Sequence, residues 1–276
     1  MNIAVIGLGE IGSMLASQLI ERCGIRPEAL SLYDRNKCKR DALRRQHPGV
    51  RTAPGAAEAV RGARYVFLCV QPLNIPAALR EICPVLQAEA NLFVSSSNAG
   101  LKDLEAVTGG KVSKFLPTVN SAIGRGVIYA AHGSKVTEED AAFFKRTMDR
   151  LCGRLYEIGE EQFALLNNLA GCAPAFLSYF CQCLCQAAYS MQDAFSYEDL
   201  EAMMTETLAA TGRRIQEQGL PFEEVITGVG KPGGITHTAL SALTDRLPAG
   251  AEELMRRSVR RHEEIDRLVS EKLREV

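Results

Sequence analysis

The chain opens with an apolar run, residues 2–6, that leads directly into glycines at positions 7, 9 and 12. After a strand, the first glycine permits a tight turn, the second lets the backbone approach a phosphate, and the third lets a helix pack on the strand. The free amides and positive dipole end of that helix bind phosphate groups. The order strand, GxGxxG, helix therefore predicts a dinucleotide-binding unit. Its predicted pyrophosphate contacts are Gly7, Leu8, Gly9, Glu10, Ile11 and Gly12.

An acidic residue follows the glycines at the expected distance. Asp34 ends a second apolar run, residues 30–34, and is succeeded by Arg35 and, further on, Lys37 and Lys39. A carboxylate at this position binds the ribose hydroxyls of NAD and repels the 2′-phosphate of NADP, whereas the cations attract that phosphate. The two signals conflict, and their balance favours NADP(H) slightly over NAD(H).

The first half of the chain alternates short apolar runs with helical stretches, a pattern typical of a doubly wound parallel sheet. Thr137, followed by three acidic residues, predicts the start of a helix that reaches about residue 152. We therefore expect an N-terminal Rossmann domain over residues 1–159. Its predicted strands are 2–6, 30–34, 65–70, 92–96, 112–116, 127–131 and a short one near 154–158.

Two loops at the carboxyl ends of predicted strands are expected to contact the nicotinamide half of the cofactor. Val70, Gln71 and Pro72 end the strand at 65–70, where a Rossmann sheet reverses direction. Asn98 lies in the small, polar segment 95–100. Either loop could be merely a turn, but their positions at the carboxyl ends of strands favour a functional role.

From residue 160 onward the strand pattern stops, which predicts an all-helical domain over 160–276. Residues 160–190 are apolar on nearly every face, and such a helix must be buried on all sides. About 115 residues can hardly surround it, so we expect a second copy of the chain to cover it in a homodimer or larger homo-oligomer. Further helices are predicted at about 197–218, with Ser196 as cap, and at 236–246 and 249–273.

Two segments of this second half favour close backbone approach to a ligand. Residues 168–176 place small side chains inside the apolar helix, and residues 231–238 place Pro-Gly-Gly before a helix. Amides exposed at such a helix start bind a carboxylate. A plain loop followed by a capped helix would leave the same pattern.

Together these segments resemble pyrroline-5-carboxylate reductase, in order and over essentially the full chain. The resemblance rests on the glycine fingerprint, on Ala99-Gly100 and above all on Pro232-Gly233-Gly234-Ile235-Thr236, where the family has Pro-Gly-Gly-Thr-Thr. It implies a Rossmann domain, an interlocking helical dimerisation domain, and NAD(P)H-dependent reduction of the cyclic imine 1-pyrroline-5-carboxylate to proline. By family position, Thr236 would bind the ring nitrogen as the catalytic residue. The implied substrate contacts are Thr118, Asn120, Gly171, Cys172, Ala173, Lys231, Pro232, Gly233 and Gly234.

The departures from the family fall at the expected nicotinamide and substrate positions. A buried site loses about 1–3 kcal/mol for each missing hydrogen-bond partner, so a re-tuned pocket is expected. Gln71 replaces a lysine, Thr118 an asparagine, Asn120 a proline, Ala170 and Cys172 two serines, Ala173 a glycine, and Lys231 a serine.

Composition narrows the kinds of partner that the protein can have. A net charge of −1 gives no basic excess for binding nucleic acid. No apolar run is expected to reach the ~20 residues needed to span a membrane. Nine cysteines without a charged leader predict a cytoplasmic protein with free thiols, and Cys181, Cys183 and Cys185 lack zinc spacing, so no metal is expected.

Three alternatives stay open at this stage. A related cyclic imine could be the substrate, or the chain could be a non-catalytic dinucleotide-binding accessory protein. A hydroxyacid dehydrogenase fits less well, because no lysine lies four residues before Asn167 or Asn168.

Overall fold

The computed structural model describes residues 2–276 and divides the chain into two compact units. The first contains the residues up to Gly171 together with Ser258–Val276, and the second is Cys172–Arg257. The domain boundary predicted at 159/160 stays a prediction.

The first unit is built on an eight-stranded sheet. Its order is β3-β2-β1-β4-β5-β6-β7-β8, and β1 pairs with β2 on one side and with β4 on the other. The direction of winding therefore reverses between β1 and β4, as the sequence predicted. The strands are β1 (Ile3–Ile6), β2 (Leu30–Tyr33), β3 (Arg51–Thr52), β4 (Tyr65–Leu68), β5 (Asn91–Ser95), β6 (Lys111–Leu116), β7 (Val127–His132) and β8 (Arg154–Glu157).

The sheet differs from the predicted one in two strands. β7 runs antiparallel to β6, because the ten residues 117–126 between them are fewer than a parallel crossover requires. β3 has only two residues, too few to produce an apolar run.

Helices cover both faces of this sheet, and each face has its own buried apolar cluster. The predicted cap at Thr137 is present, since its hydroxyl accepts a hydrogen bond from the amide of Asp140. The helices are α1 (Glu10–Glu21), α2 (Lys37–Gln46), α3 (Ala56–Val60), α4 (Ile75–Ile82), α5 (Leu101–Thr108), α6 (Glu138–Leu151) and α7 (Phe163–Asn167).

The second unit is helical. Ser196 caps the helix Tyr197–Gln218 and forms a capping box with Asp199, as expected. The short helix Phe222–Val229 was not predicted. The helices are α8 (Ala173–Ser190), α9 (Tyr197–Gln218), α10 (Phe222–Val229), α11 (Ile235–Thr244) and α12 (Leu247–Leu273), the last ending in the first unit.

Helix α8 is exposed in the single chain. Cys185 is its one buried side chain, and Leu177, Tyr179 and Tyr189 are each more than half exposed. The whole stretch Glu160–Ser190 is long and apolar enough to cross a membrane by length and composition. The expectation that no run has this property was therefore wrong: beyond Glu160 and Glu161, the polar residues of this stretch are uncharged and interspersed among apolar ones.

Candidate functional site

The glycine turn after β1 has the backbone geometry that its sequence requires. Gly7 has φ +90°, and a Cβ there would lie 2.7 Å from the carbonyl oxygen of Cys69. A Cβ on Gly12 would overlap the carbonyl oxygen of Gly7, so α1 packs directly on the turn. A Cβ on Gly9 would instead meet nothing within 4 Å. The backbone at Gly9 therefore faces open space, where a ligand can approach it.

Asp34 ties this turn to the end of β2. One carboxylate oxygen accepts the amide of Leu8 at 2.7 Å, and the other accepts the amide of Asn36 at 2.8 Å. Gly9 is the N-cap of α1 and provides no side-chain cap, so the first amides of that helix stay available to a ligand. The predicted acidic residue is thus in place, and it also stabilises the loop.

A cavity of about 340 Å³ lies beside the turn. It brings together six of the residues predicted to bind the cofactor: Gly7, Gly9, Asp34, Arg35, Val70 and Gln71. Leu8 and Gly12 are buried behind it, and Pro72 begins a 3₁₀ turn at its edge. The other lining residues are Ile6, Tyr33, Lys39, Ala56, Cys69, Asn74, Ala77, Ala78 and Glu81.

The lining of this cavity fits a phosphate-rich dinucleotide. It combines glycine backbone, two exposed cations (Arg35 and Lys39) and the Asp34 carboxylate. The cavity residues from α4 and its N-cap had not been predicted. They recur at helical spacing, and this periodicity could have indicated them: Asn74, Ala77, Ala78 and Glu81. Burial raises the pKa of the Cys69 thiol to about 12, although a hydrogen bond with Ser95 opposes the shift. Cys69 therefore lines the cavity as an uncharged thiol and is not activated as a nucleophile.

Asn98 lies outside this cavity lining. It is buried, and its side-chain amide donates to the carbonyl oxygen of His262 at 3.0 Å. That contact with α12 could not be foreseen from the sequence, because it joins residues 164 positions apart.

Thr118 and Asn120 follow the end of β6. Thr118 is 3% exposed, and within the described residues 2–276 its hydroxyl has no hydrogen-bond partner. Asn120 is exposed on the 3₁₀ helix Val119–Ile123. A buried hydroxyl without a partner is costly, so Thr118 is suited to a polar ligand.

Gly171 and Cys172 belong to a π-helical turn, Asn168–Cys172, that interrupts the apolar helix before Ala173. Turns of this kind occur frequently at functional sites. A Cβ on Gly171 would collide with the end of the Asn167 side chain, which would have to move to admit a larger residue.

The segment before α11 forms a tight turn in the second unit. The amide of Gly234 donates to the carbonyl of Lys231 at 2.9 Å, and Gly233 has φ +79°. With Pro232 before it, this is the arrangement of a type II turn, which needs glycine at its third position. Gly234 is the N-cap and has no side-chain cap, so Thr236 stands inside the first helical turn and not at the cap.

Comparison with known proteins shows which proteins the chain is similar to. Residues 160–265 match the family model described as pyrroline-5-carboxylate reductase dimerisation, and residues 2–99 match the model of NADP oxidoreductase, coenzyme F420-dependent. Pyrroline-5-carboxylate reductase 3 of Bacillus subtilis (strain 168) is 24% identical over 263 residues, which cover 95% of this chain and 96% of the relative. The chain is therefore similar to pyrroline-5-carboxylate reductases over nearly its full length.

Solved structures share the fold of this chain over nearly its full length. The pyrroline carboxylate reductase of Plasmodium falciparum, solved with NADP bound, has a TM-score of 0.82 at 19% identity and 98% coverage of both chains. The enzyme of Coxiella burnetii has a TM-score of 0.84 at 20% identity, covering 96% of this chain and 98% of its own. The predicted Rossmann domain and helical second half are thereby confirmed.

The dimerisation match also bears on α8. The matched region includes the whole of that helix, which supports assembly of the chain with further copies of itself. The apolar side chains exposed in one chain lie in this matched region.

Proposed function

We propose that this protein reduces 1-pyrroline-5-carboxylate to proline with NADP(H), as an NAD(P)-dependent oxidoreductase. The observation that carries the proposal is the turn Lys231–Gly234, which leads into the uncapped start of α11 with Thr236 in its first turn. A carboxylate bound at such amides gains hydrogen bonds and a favourable helix dipole. The ring nitrogen of an imino acid lies one carbon from its carboxylate, within reach of a first-turn hydroxyl.

The residues of the chain hold and align the two reactants. The nicotinamide supplies the hydride, and the protein supplies binding and orientation. The first amides of α1, beginning beside Gly9, would hold the pyrophosphate. The amides around Gly233 and Gly234, namely that of Gly233 and the first amides of α11, would hold the substrate carboxylate, since the Gly234 amide already donates to Lys231. The Thr236 hydroxyl would hydrogen-bond the ring nitrogen. The other proposed substrate contacts are Thr118, Asn120, Gly171, Cys172, Ala173, Lys231 and Pro232.

The preference for NADP(H) is supported by the hydrogen bonds that the Asp34 carboxylate already accepts. Both of its carboxylate oxygens already accept main-chain amides, which reduces the repulsion that this carboxylate exerts on a nearby phosphate. Arg35 and Lys39 line the same cavity and are exposed. Charge-assisted hydrogen bonds from these cations would bind the 2′-phosphate.

The decisive experiment follows NADPH oxidation with 1-pyrroline-5-carboxylate and compares it with the six-membered imino acid. Turnover of the five-membered ring is expected. Thr236→Ala is expected to lower kcat/KM about 10-fold to 100-fold, the effect of losing one hydrogen bond to a charged group, while Thr236→Ser retains activity. Thr244→Ala is the matched control, because its hydroxyl bonds to the carbonyl of Ser241 at the far end of α11. No turnover with either ring, or an unchanged Thr236→Ala variant, would contradict the proposal.

A second candidate is reduction of a related cyclic imine. It is favoured by the replaced residues of the π-helical turn, where Ala170 and Cys172 have lost the hydroxyls that the family carries. Turnover of the six-membered ring alone would establish it. Within residues 2–276 none of the nine cysteines forms a disulfide, which agrees with a reducing compartment, and we propose a cytoplasmic homodimer or larger homo-oligomer.

A further inference from the structure

The loop that follows β5 has an unusual backbone. Among the non-glycine residues that the structure describes, Ala99 alone has a positive φ, at +69°. This left-handed conformation is unfavourable for alanine, and Ala99 is fully buried. Such a conformation persists only where the surroundings hold it, and it is concentrated at functional sites.

Helix α12 holds this loop from one side. The carboxylate of Asp266 accepts the Ala99 amide at 3.0 Å, and the carbonyl of His262 accepts the side-chain amide of Asn98 at 3.0 Å. Burial lowers the pKa of His262, so its ring is neutral at pH 7. The Asp266 carboxylate is thus the charged group that α12 directs at the strained residue.

An ion pair between a buried lysine and a partly exposed glutamate also holds this loop. Lys114, on β6, is 2% exposed, and its ammonium donates to the carbonyl of Ser97 at 3.1 Å and to the carboxylate of Glu160 at 3.0 Å. The same Glu160 oxygen accepts the amide of Leu101 at 2.6 Å. Both ends of the loop are therefore fixed by charged groups.

The loop is directly connected to the cofactor cavity. Ser95 ends β5 and, by the register of the β4–β5 pair, lies beside Cys69, which lines the cavity next to Val70 and Gln71. In a doubly wound sheet this edge, beyond the reversal point, is where the second half of a dinucleotide lies.

We infer that Asp266 is a positioning residue, which holds residues 96–99 in the conformation that receives the nicotinamide half of the cofactor. Without this acceptor Ala99 relaxes to a common backbone conformation, and the loop presents a different surface to the cofactor. The inference rests on the proposed use of NADP(H), but not on which imine is reduced.

The test measures binding of two probes by calorimetry: NADP⁺, and 2′-phospho-ADP-ribose, which is the same molecule without nicotinamide. Asp266→Ala is expected to weaken NADP⁺ binding about tenfold, the effect of losing one hydrogen bond to a charged group, and to leave 2′-phospho-ADP-ribose unchanged. Asp266→Asn keeps an acceptor and should retain most of the NADP⁺ affinity. Glu271→Ala is the matched control, an exposed carboxylate on the same helix.

A second substitution separates positioning from general stability. Glycine adopts positive φ freely, so Ala99→Gly added to Asp266→Ala should recover part of the NADP⁺ affinity even though the hydrogen bond is still missing. Equal weakening of both probes by Asp266→Ala, or no recovery by Ala99→Gly, would overturn the inference. If Asp266→Ala weakens only NADP⁺ binding, as expected, but the unsubstituted protein reduces neither imine, the proposed reaction is refuted and the positioning role stands.

Discussion

Alanine substitutions at Gly9 and Gly12 separate cofactor binding from folding. Both glycines belong to the fingerprint, yet their surroundings are opposite in kind. A methyl group on Gly9 enters open space and its φ of −71° suits alanine, whereas a methyl group on Gly12 overlaps the Gly7 carbonyl oxygen. Gly9→Ala should therefore fold normally and bind the cofactor poorly, and Gly12→Ala should lose stability.

The magnitudes follow from these contacts. Gly9→Ala changes a helix N-cap from glycine to alanine, which costs about 1 kcal/mol or less and shifts Tm by no more than about 4 °C. Gly12→Ala overpacks against backbone that cannot rotate away, so we expect a loss of about 3 kcal/mol and a fall in Tm of about 6–12 °C. Blocking two amide–phosphate hydrogen bonds at Gly9 should cost about 3 kcal/mol, or about a hundredfold in the Kd for NADPH.

Calorimetric titration with NADPH and circular-dichroism melting measure the two quantities separately. Unchanged NADPH affinity in Gly9→Ala would refute the assignment of the pyrophosphate to this turn. An unchanged Tm in Gly12→Ala would refute the packing argument, because the overlap with the Gly7 carbonyl would then have been relieved without cost.

Three further predictions concern charge and assembly. Burial alone would raise the pKa of Asp140, but the hydrogen bonds from Thr137 and Lys111 and the charge of Arg64 hold it below its ordinary value. The ionised carboxylate therefore stabilises the fold at neutral pH, and this stabilisation is lost as the pH falls through the lowered pKa. Asp140→Asn should accordingly lower stability by about 3 kcal/mol at pH 7 and by much less at pH 3, as measured by urea unfolding. Tyr179→Glu places a charge on the exposed face of α8 and should yield monomers in light scattering, and a normal oligomer would contradict the role of that face. Lys39→Ala should raise KM for NADPH about tenfold and leave KM for NADH unchanged, and an equal effect on both would exclude contact with the 2′-phosphate.

Local sequence signals located most of the fold. The glycine turn, the strands of four or more residues and the caps at Thr137 and Ser196 all depend on neighbouring residues, so the sequence predicts them well. The two-residue β3 and the eight-residue α10 were missed because segments this short carry too little periodicity.

Contacts between distant parts of the chain were beyond sequence reasoning. The hydrogen bond between Asp266 and Ala99 spans 167 positions, and the one between Lys114 and Glu160 spans 46. Nothing in the local pattern around Ala99 indicates a left-handed backbone, since alanine rarely adopts it. The strain could be recognised only once the fold had brought α12 to the loop.

Asp34 shows how a correctly located residue can still leave its role undecided. The spacing from the glycines places a carboxylate at the end of β2, and the structure confirms that place. The carboxylate, however, accepts amides from both the glycine turn and the start of α2, so it would be retained for folding whichever cofactor is bound. Each carboxylate oxygen keeps a second lone pair that a ribose hydroxyl could use, and the neighbouring cations compete by attracting a phosphate to the same place. We therefore expect cofactor preference to depend on the charge balance among Asp34, Arg35 and Lys39 and not on the acidic residue alone. The effect of Lys39→Ala on the two cofactors tests this expectation, which the motif alone cannot decide.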